Sequence, residues 1–219
     1  MNTNMNRRRF SASLLSAAAA AVVAGRPAFA QAAAAEGKDF TRVDTPQPPG
    51  VPAGKVEVLE FFSYACPHCS AFEPTIEAWE KQQPPEVVLR RVPVAFLMNA
   101  DNFMHAYYAL ETMGAVPAMQ LKIFRAIHIE RKRLEKGEDI AAFVGANGGD
   151  AAKFLAAFKS FSVNTSVARA KKLMADYKID SVPTLVVQGR WMTSPSVAGS
   201  SERALAVVDQ LVQQVRSGK

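Results

Sequence analysis

The 219-residue chain has two cysteines, both within one four-residue string, Cys66-Pro67-His68-Cys69. Histidine is scarce too, at three residues. A structural zinc site normally takes four Cys or His ligands, commonly as a second pair far along the chain. No second pair follows here, and His105 and His128 lie on separate amphipathic segments without matching spacing. No metal site is expected, and those two histidines read as helix-surface or packing residues. The chain also lacks an apolar run of about twenty residues, the length of a membrane span. The Ala-rich stretch Ser11 to Gly25 is too short.

Strong net charge is missing as well, once its source is located. The chain has 26 Lys+Arg against 20 Asp+Glu, and four of the arginines (Arg7, Arg8, Arg9, Arg26) fall in the first thirty residues, which hold no acid. The remainder is nearly balanced, which removes the support for nucleic-acid binding. Arg131-Lys132-Arg133 is flanked by Glu130 and Glu135 and reads as a solvated helix end.

Residues 1–30 have the form of an export signal: a charged start, the apolar stretch and a small-x-small site at Ala28-Phe29-Ala30. The protein is expected outside the inner membrane, in the periplasm, with a mature start near Gln31. Asn6-Arg7-Arg8-Arg9-Phe10 resembles a twin-arginine signal, while the general secretory route stays open. An exported chain of about 190 residues is long enough for an ordinary core, and exported proteins often add disulfides for stability. With no cysteine outside the motif, the one possible disulfide is free to be reactive.

After a polar, Pro-rich stretch (44–54), Val56 to Phe62 reads as a buried strand, Cys66 to Gln83 as a helix and Val87 to Val94 as a second strand. Strand, crossover helix and strand imply a parallel pair. Pro74 is expected to kink the helix. Helical stripes follow: Phe103, Tyr107 and Leu110; Met119, Ile123 and Ile127; Phe154, Leu155, Phe158 and Phe161; then Val167, Ala170, Met174 and Tyr177. These aromatics read as core. Asp150 is a helix cap, Thr184 to Val187 returns as a strand, and Gln188-Gly189 turns into Arg190 to Thr193 as a hairpin. Ser200 or Ser201 caps a final helix carrying Leu205, Val208, Val212 and Val215. The expected division is a signal at 1–30, a first part at 31–98, a helical insertion at 99–162 and a second part at 163–219.

Two thiols separated by two residues, where a strand runs into a helix, can close into a disulfide and reopen by exchange. The first sits at the helix N-terminus, where unpaired N–H groups favour a thiolate. As a staple, so short a loop removes little chain entropy. The motif reads as redox chemistry.

The string Val58-Leu59-Glu60-Phe61-Phe62-Ser63-Tyr64-Ala65-Cys66-Pro67-His68-Cys69 resembles the DsbA family of exported thiol oxidases, and Ser181-Val182-Pro183-Thr184, the helical insertion and the signal fit the same family. The resemblance covers the whole mature part. It implies an α/β thioredoxin fold with helices inserted between βαβ and ββα halves. It also implies a cis bond at Val182-Pro183 facing the disulfide, where the backbone can pair with an extended substrate; a trans proline at a strand start is the alternative reading. Relatives often carry lysine where this chain has Arg91. By strand alternation Glu60 and Arg91 each stand among apolar neighbours, and pairing them avoids an uncompensated buried charge. Arginine cannot shuttle protons as lysine could.

The implied reaction is thiol–disulfide exchange through Cys66, with Cys69 more buried, Pro67 and His68 between them, His68 supporting the thiolate, and Glu60 assisting proton changes at Cys69. Glu60 and Glu73 would oppose a thiolate if close, so neither is an activator. No cofactor beyond the Cys66-Cys69 disulfide is expected. The partners implied are reduced or unfolded exported proteins, met through an apolar surface around the motif, and a quinone-linked membrane oxidase of the DsbB type; the protein is expected to be a monomer. A disulfide reductase or isomerase and a peptide-holding chaperone remain competing readings.

Overall fold

The computed structural model describes residues 33–218. The expected signal at 1–30 and the mature start near Gln31 lie outside them. Five strands form one mixed sheet: β1 (Thr41–Arg42), β2 (Val56–Phe62), β3 (Val87–Pro93), β4 (Thr184–Val187) and β5 (Trp191–Thr193), in the order β1-β5-β4-β2-β3.

All seven residues of β2 are buried, which is why this central strand shows no polar alternation. It pairs in parallel with β3, Glu60 opposite Arg91, and antiparallel with β4, Phe61 opposite Thr184. The crossover between β2 and β3 is α1 (Pro67–Glu80), which begins with proline, a residue already set for a first helical position. The helix ends at Glu80, short of Gln83. Residues 81–83 continue as turns, Gln82 donating to the Trp79 carbonyl and Gln83 to that of Glu80.

Five helices lie between β3 and β4: α2 (Ala100–Thr112), α3 (Val116–His128), α4 (Gly137–Ala146), α5 (Ala151–Phe158) and α6 (Phe161–Asp176). Asp150 caps α5 by accepting from Lys153 N–H at 2.9 Å. The short α7 (Pro195–Ala198) and the final α8 (Ser201–Arg216), capped by Ser200, complete the chain.

The two faces of the sheet feed two cores. Val56 and Val58 of β2, with Leu185 and Val187 of β4, pack with Phe72, Ile76 and Trp79 of α1 and with Leu205, Val208 and Val212 of α8. Leu59, Phe61 and Val186 point the other way, into a larger cluster shared with the inserted helices. There Phe61 meets Tyr177 edge-on, ring centroids 5.7 Å apart.

Three features depart from the sequence reading. β1 is two residues long, too short to show a period, and exists through its antiparallel pairing with β5. The four-residue α7 likewise gives no helical period, although Ser194 caps it. Phe161, expected in a core stripe, is 86% exposed. Ser160 caps a new helix at this point, so Phe161 starts α6 instead of extending the face of α5.

The β4–β5 hairpin turns through Gln188 (φ 50°) and Gly189 (φ 65°), closed by Arg190 N–H on the Val187 carbonyl at 3.0 Å. A side chain at Gly189 would be both strained and pressed into the Gln47 carbonyl. Gly189→Ala is expected to lower the unfolding free energy by about 1–3 kcal/mol, whereas Gly54→Ala, which meets no neighbour, loses only the conformational part. Urea denaturation of the two variants checks this.

Candidate active site

β2 delivers the chain to a tight turn. Cys66 N–H donates to the Ser63 carbonyl at 3.0 Å, and Ala65 N–H to the Ser63 hydroxyl at 3.1 Å. Cys66 then takes the extended backbone of a helix cap (φ −90°, ψ 116°), and its sulfur accepts the Cys69 N–H at 3.3 Å. A thiol thus stands where a serine or aspartate oxygen would ordinarily satisfy the first turn. Pro67 removes a competing donor and fixes the start of the helix.

The two thiols are unbridged here, and both are buried. Cys66 is 5% exposed and Cys69 fully buried. The Cys66 thiol is pulled down to about 6 by the neighbouring Cys69 thiol, by the Cys69 and His68 backbone N–H groups and by the charge on His68, against the opposing effect of burial. Burial, the Cys66 sulfur and the Glu60 charge push Cys69 far above the ordinary thiol range. The Cys66 thiol also reaches the Val182 carbonyl at 3.5 Å, and the Val182–Pro183 peptide is cis. His68 and Pro67 are exposed at the mouth of the site.

Beneath the thiols lies a buried charge cluster. Arg91 Nε is 3.1 Å from Glu60 Oε2, and its terminal nitrogens donate to Glu73 Oε1 and Glu80 Oε2, each at 3.0 Å. The Arg91–Glu60 contact is close enough for an ion pair but poorly aligned, and neither Glu60 oxygen has a hydrogen-bond partner among the described residues. Burial first, then the Glu73 charge, raises Glu60 to about 8 despite Arg91. Burial raises Glu73 as well, although Gln120 donates to its Oε2 at 3.2 Å. One guanidinium cannot offset the two buried carboxylates Glu60 and Glu73 while also pairing with the part-exposed Glu80, so Glu60 holds its proton near neutral pH.

The simple Glu60–Arg91 pair expected from the sequence is therefore part of a larger group that includes Glu73 and Glu80. A signal for them existed: Glu73 sits on the same face of α1 as Ile76 and Glu80, inside an otherwise apolar stripe. A cavity of about 540 Å³ borders Glu73, Glu80, Arg91 and Gln120; neither cysteine is among its lining residues. His105 and His128 are packing residues that also make polar contacts, His105 with the Asp101 carbonyl and Asn164, His128 with the Tyr64 carbonyl. No cluster able to hold a metal ion occurs among the described residues.

β2 and β3 are parallel, so the segment after β3 leaves the sheet at the same end as the Cys66 turn. It carries Phe96 (41% exposed) and Met98 (83% exposed). Ile129, 72% exposed, follows the histidine that touches the turn.

A βαβ half and a ββα half around inserted helices, with a low-pKa thiol capping the first helix and a cis-proline loop against it, define a thioredoxin-fold thiol–disulfide oxidoreductase. The DSBA-like thioredoxin domain family matches residues 57–205. Thiol:disulfide interchange protein DsbA of Burkholderia cepacia is 44% identical over 198 residues, covering 90% of this chain and 93% of that one. Its counterpart in Azotobacter vinelandii is 39% identical over 210 residues, covering 91% and 97%. The crystal structure of Pseudomonas aeruginosa DsbA superposes with a TM-score of 0.80 at 36% identity, covering 84% of this chain and 96% of that one. The chain belongs to the DsbA family of thiol:disulfide oxidoreductases.

Two outcomes follow from the charge cluster. Arg91→Met leaves the buried Glu60–Glu73 pair without its cation and is expected to cost about 3–5 kcal/mol of stability at neutral pH, read by urea denaturation. Glu60 retains its proton to about 8 in the fold but only to about the ordinary value of 4.5 when unfolded. The native state therefore binds more protons in that window, and Glu60's contribution to stability is lost as pH rises through it. Glu60→Gln should flatten the fall of unfolding free energy with pH between those values; an unaltered slope would mean that Glu60 is ionised in the fold throughout.

Proposed function

We propose that Cys66 is the sulfur exchanged with substrates, that Cys69 is the buried partner, and that the protein acts as a net donor of their disulfide to newly exported proteins. The observation that carries this is the contrast between the two thiols, one lowered to about 6 at a helix N-terminus and the other buried and raised.

In the oxidised protein a substrate thiolate attacks Cys66 Sγ. The Cys66–Cys69 bond breaks, a substrate–Cys66 disulfide forms, and the electron pair leaves on Cys69, which takes up a proton. Burial of Cys69 and its nearness to Glu60 favour that uptake, and Glu60, raised to about 8, is the nearby carboxyl able to hold or give the proton. Arg91 stays protonated and keeps Glu60 and Glu73 in place without moving a proton itself. A second substrate thiolate then attacks the substrate sulfur of the mixed disulfide, and Cys66 departs as a thiolate. Two electrons have passed from two substrate thiols to the protein. A leaving group of low pKa speeds the release and stabilises the reduced protein, the property of a strong oxidant.

His68 adds positive charge near the leaving sulfur, and Pro67 keeps the first helical position free of a competing N–H. Val182 and Pro183 form the loop against Cys66 on which an extended substrate backbone pairs. Phe96, Met98 and Ile129 supply apolar surface that accepts unfolded chains without reading their sequence. The chemistry needs only the protein's own disulfide as redox group. A quinone-linked membrane oxidase of the DsbB type then removes the two electrons. The protein works as a periplasmic monomer after removal of residues 1–30, by either export route. Its catalytic fold comprises 31–98 and 163–219 around the helical insertion 99–162, with α6 handing the chain back to β4.

In the reduced protein Cys66 should be alkylated with a midpoint near pH 6 while Cys69 stays unlabelled, read by mass spectrometry of trapped peptides; equal labelling would contradict the assigned roles. Replacing His68 with alanine should raise the Cys66 pKa and shift the glutathione equilibrium towards the oxidised protein. The function itself is tested by oxidation of a reduced, unfolded substrate. Cys66→Ser should abolish it, and a variant that no longer oxidises but still protects the unfolded substrate as well as the parent would favour the chaperone reading.

A further inference from the structure

Tyr64 stands two residues before the reactive thiol, and one stripe of α3 holds it at three points. Its hydroxyl donates to Gln120 Oε1 at 2.5 Å. Its ring meets the Phe124 ring edge-on, centroids 5.2 Å apart. Its carbonyl lies 2.8 Å from His128 Nε2, and since a carbonyl only accepts, that nitrogen carries the proton. Gln120, Phe124 and His128 recur at one-turn spacing and so share a face of the helix, with Phe124 stacked on His128. Tyr64 and Ala65 are the central residues of the turn closed by Cys66 N–H on the Ser63 carbonyl. That closure leaves the Tyr64 carbonyl unused, and His128 takes it.

The grip reaches both halves of the chemistry. Gln120 passes from the Tyr64 hydroxyl to Glu73, whose other oxygen accepts from Arg91. His128 acts on the backbone of the turn that sets where Cys66 begins α1. A rotation of the Tyr64–Ala65 peptide would shift Cys66 and lengthen the 3.3 Å contact of its Sγ with the Cys69 N–H.

We propose that the Gln120–Phe124–His128 stripe of α3 is a positioning element for the thiol-bearing turn, through which the inserted helices help set the oxidising strength of Cys66. His128 is its decisive member, because it alone of the three touches the turn's backbone. The proposal rests on the reading of Cys66 as the exchanging sulfur.

The test compares parent, His128→Leu and His128→Gln, each equilibrated with glutathione buffers at neutral pH, with the thiolate absorbance titrated in parallel and folding monitored by circular dichroism. Leucine fills space without donating, while glutamine restores a donor. His128→Leu is expected to move the redox equilibrium about threefold to tenfold towards the oxidised protein, the worth of one hydrogen bond, and to raise the thiolate midpoint. His128→Gln should return both most of the way to the parent. If His128→Leu does not fold, His128→Asn, polar but too short to reach the carbonyl, replaces it with the same expectation. A low-pKa thiol in the parent that is unchanged in the leucine or asparagine variant overturns the positioning role alone. Equal effects of leucine and glutamine also overturn it, since packing would then explain the change. A parent without a low-pKa thiol overturns both this role and the reading of Cys66.

Discussion

A single hydrogen bond organises the chemistry: the Cys69 N–H pointing at the Cys66 sulfur across the first turn of α1. It exists because the chain leaves β2, turns on Ser63 and enters a helix whose first residue has no N–H to give. The helix N-terminus offers partial positive charge and unpaired donors to whatever sits there, and here that is a thiol. The same turn of helix that leaves Cys66 5% exposed buries Cys69 fully. The asymmetry of the pair thus comes from the Cys69 thiol beside Cys66, from the backbone N–H groups of the helix end and from the burial of Cys69.

The surroundings of that bond are costly to build. Glu60, Glu73 and Arg91 are buried beneath the thiols, and one carboxylate keeps its proton because the guanidinium cannot compensate all of them. Well-packed apolar residues in these positions would stabilise the fold at least as well. A proton-holding carboxyl beside Cys69 is what such a core would lose. The stability given up here and the acid–base capacity gained sit in the same residues, and the inserted helices reach that cluster through Gln120.

Much of this was legible from the chain. The run Val56 to Phe62 marked a central strand, Cys-Pro-His-Cys pointed to thiol–disulfide chemistry, and the parallel β2–β3 unit followed from the helix between two strands. Asp150, Ser200 and the Gln188-Gly189 turn carried their own local chemistry and appear where expected. Most of what escaped lacked a local signal, and where one existed, as for Glu73, it did not name a partner. β1 and α7 are shorter than one period of their own structure, and Phe161 looked like core until Ser160 started a new helix. The family resemblance and the apolar neighbours of both charges paired Glu60 with Arg91, but Glu73 and Glu80 come from a different element, and their convergence on Arg91 depends on how α1 lies over the sheet. The contacts of Tyr64 with α3 are similarly tertiary, made by residues 56 and 64 positions away in the chain.

The central claim, that the fold stabilises the Cys66 thiolate, is tested most directly by the pH dependence of stability in the two redox forms. Only the reduced protein has this thiol to titrate. Its folded value of about 6 lies below the usual 9.0, so the stabilisation is fully present above the unfolded value and is lost as pH falls through the folded one. The difference in unfolding free energy, reduced minus oxidised, should therefore rise with pH between about 6 and 9 and level off below that window. A difference that stays constant across the window would show that the folded thiol titrates like an unfolded one, and the account built on the helix N-terminus would not stand.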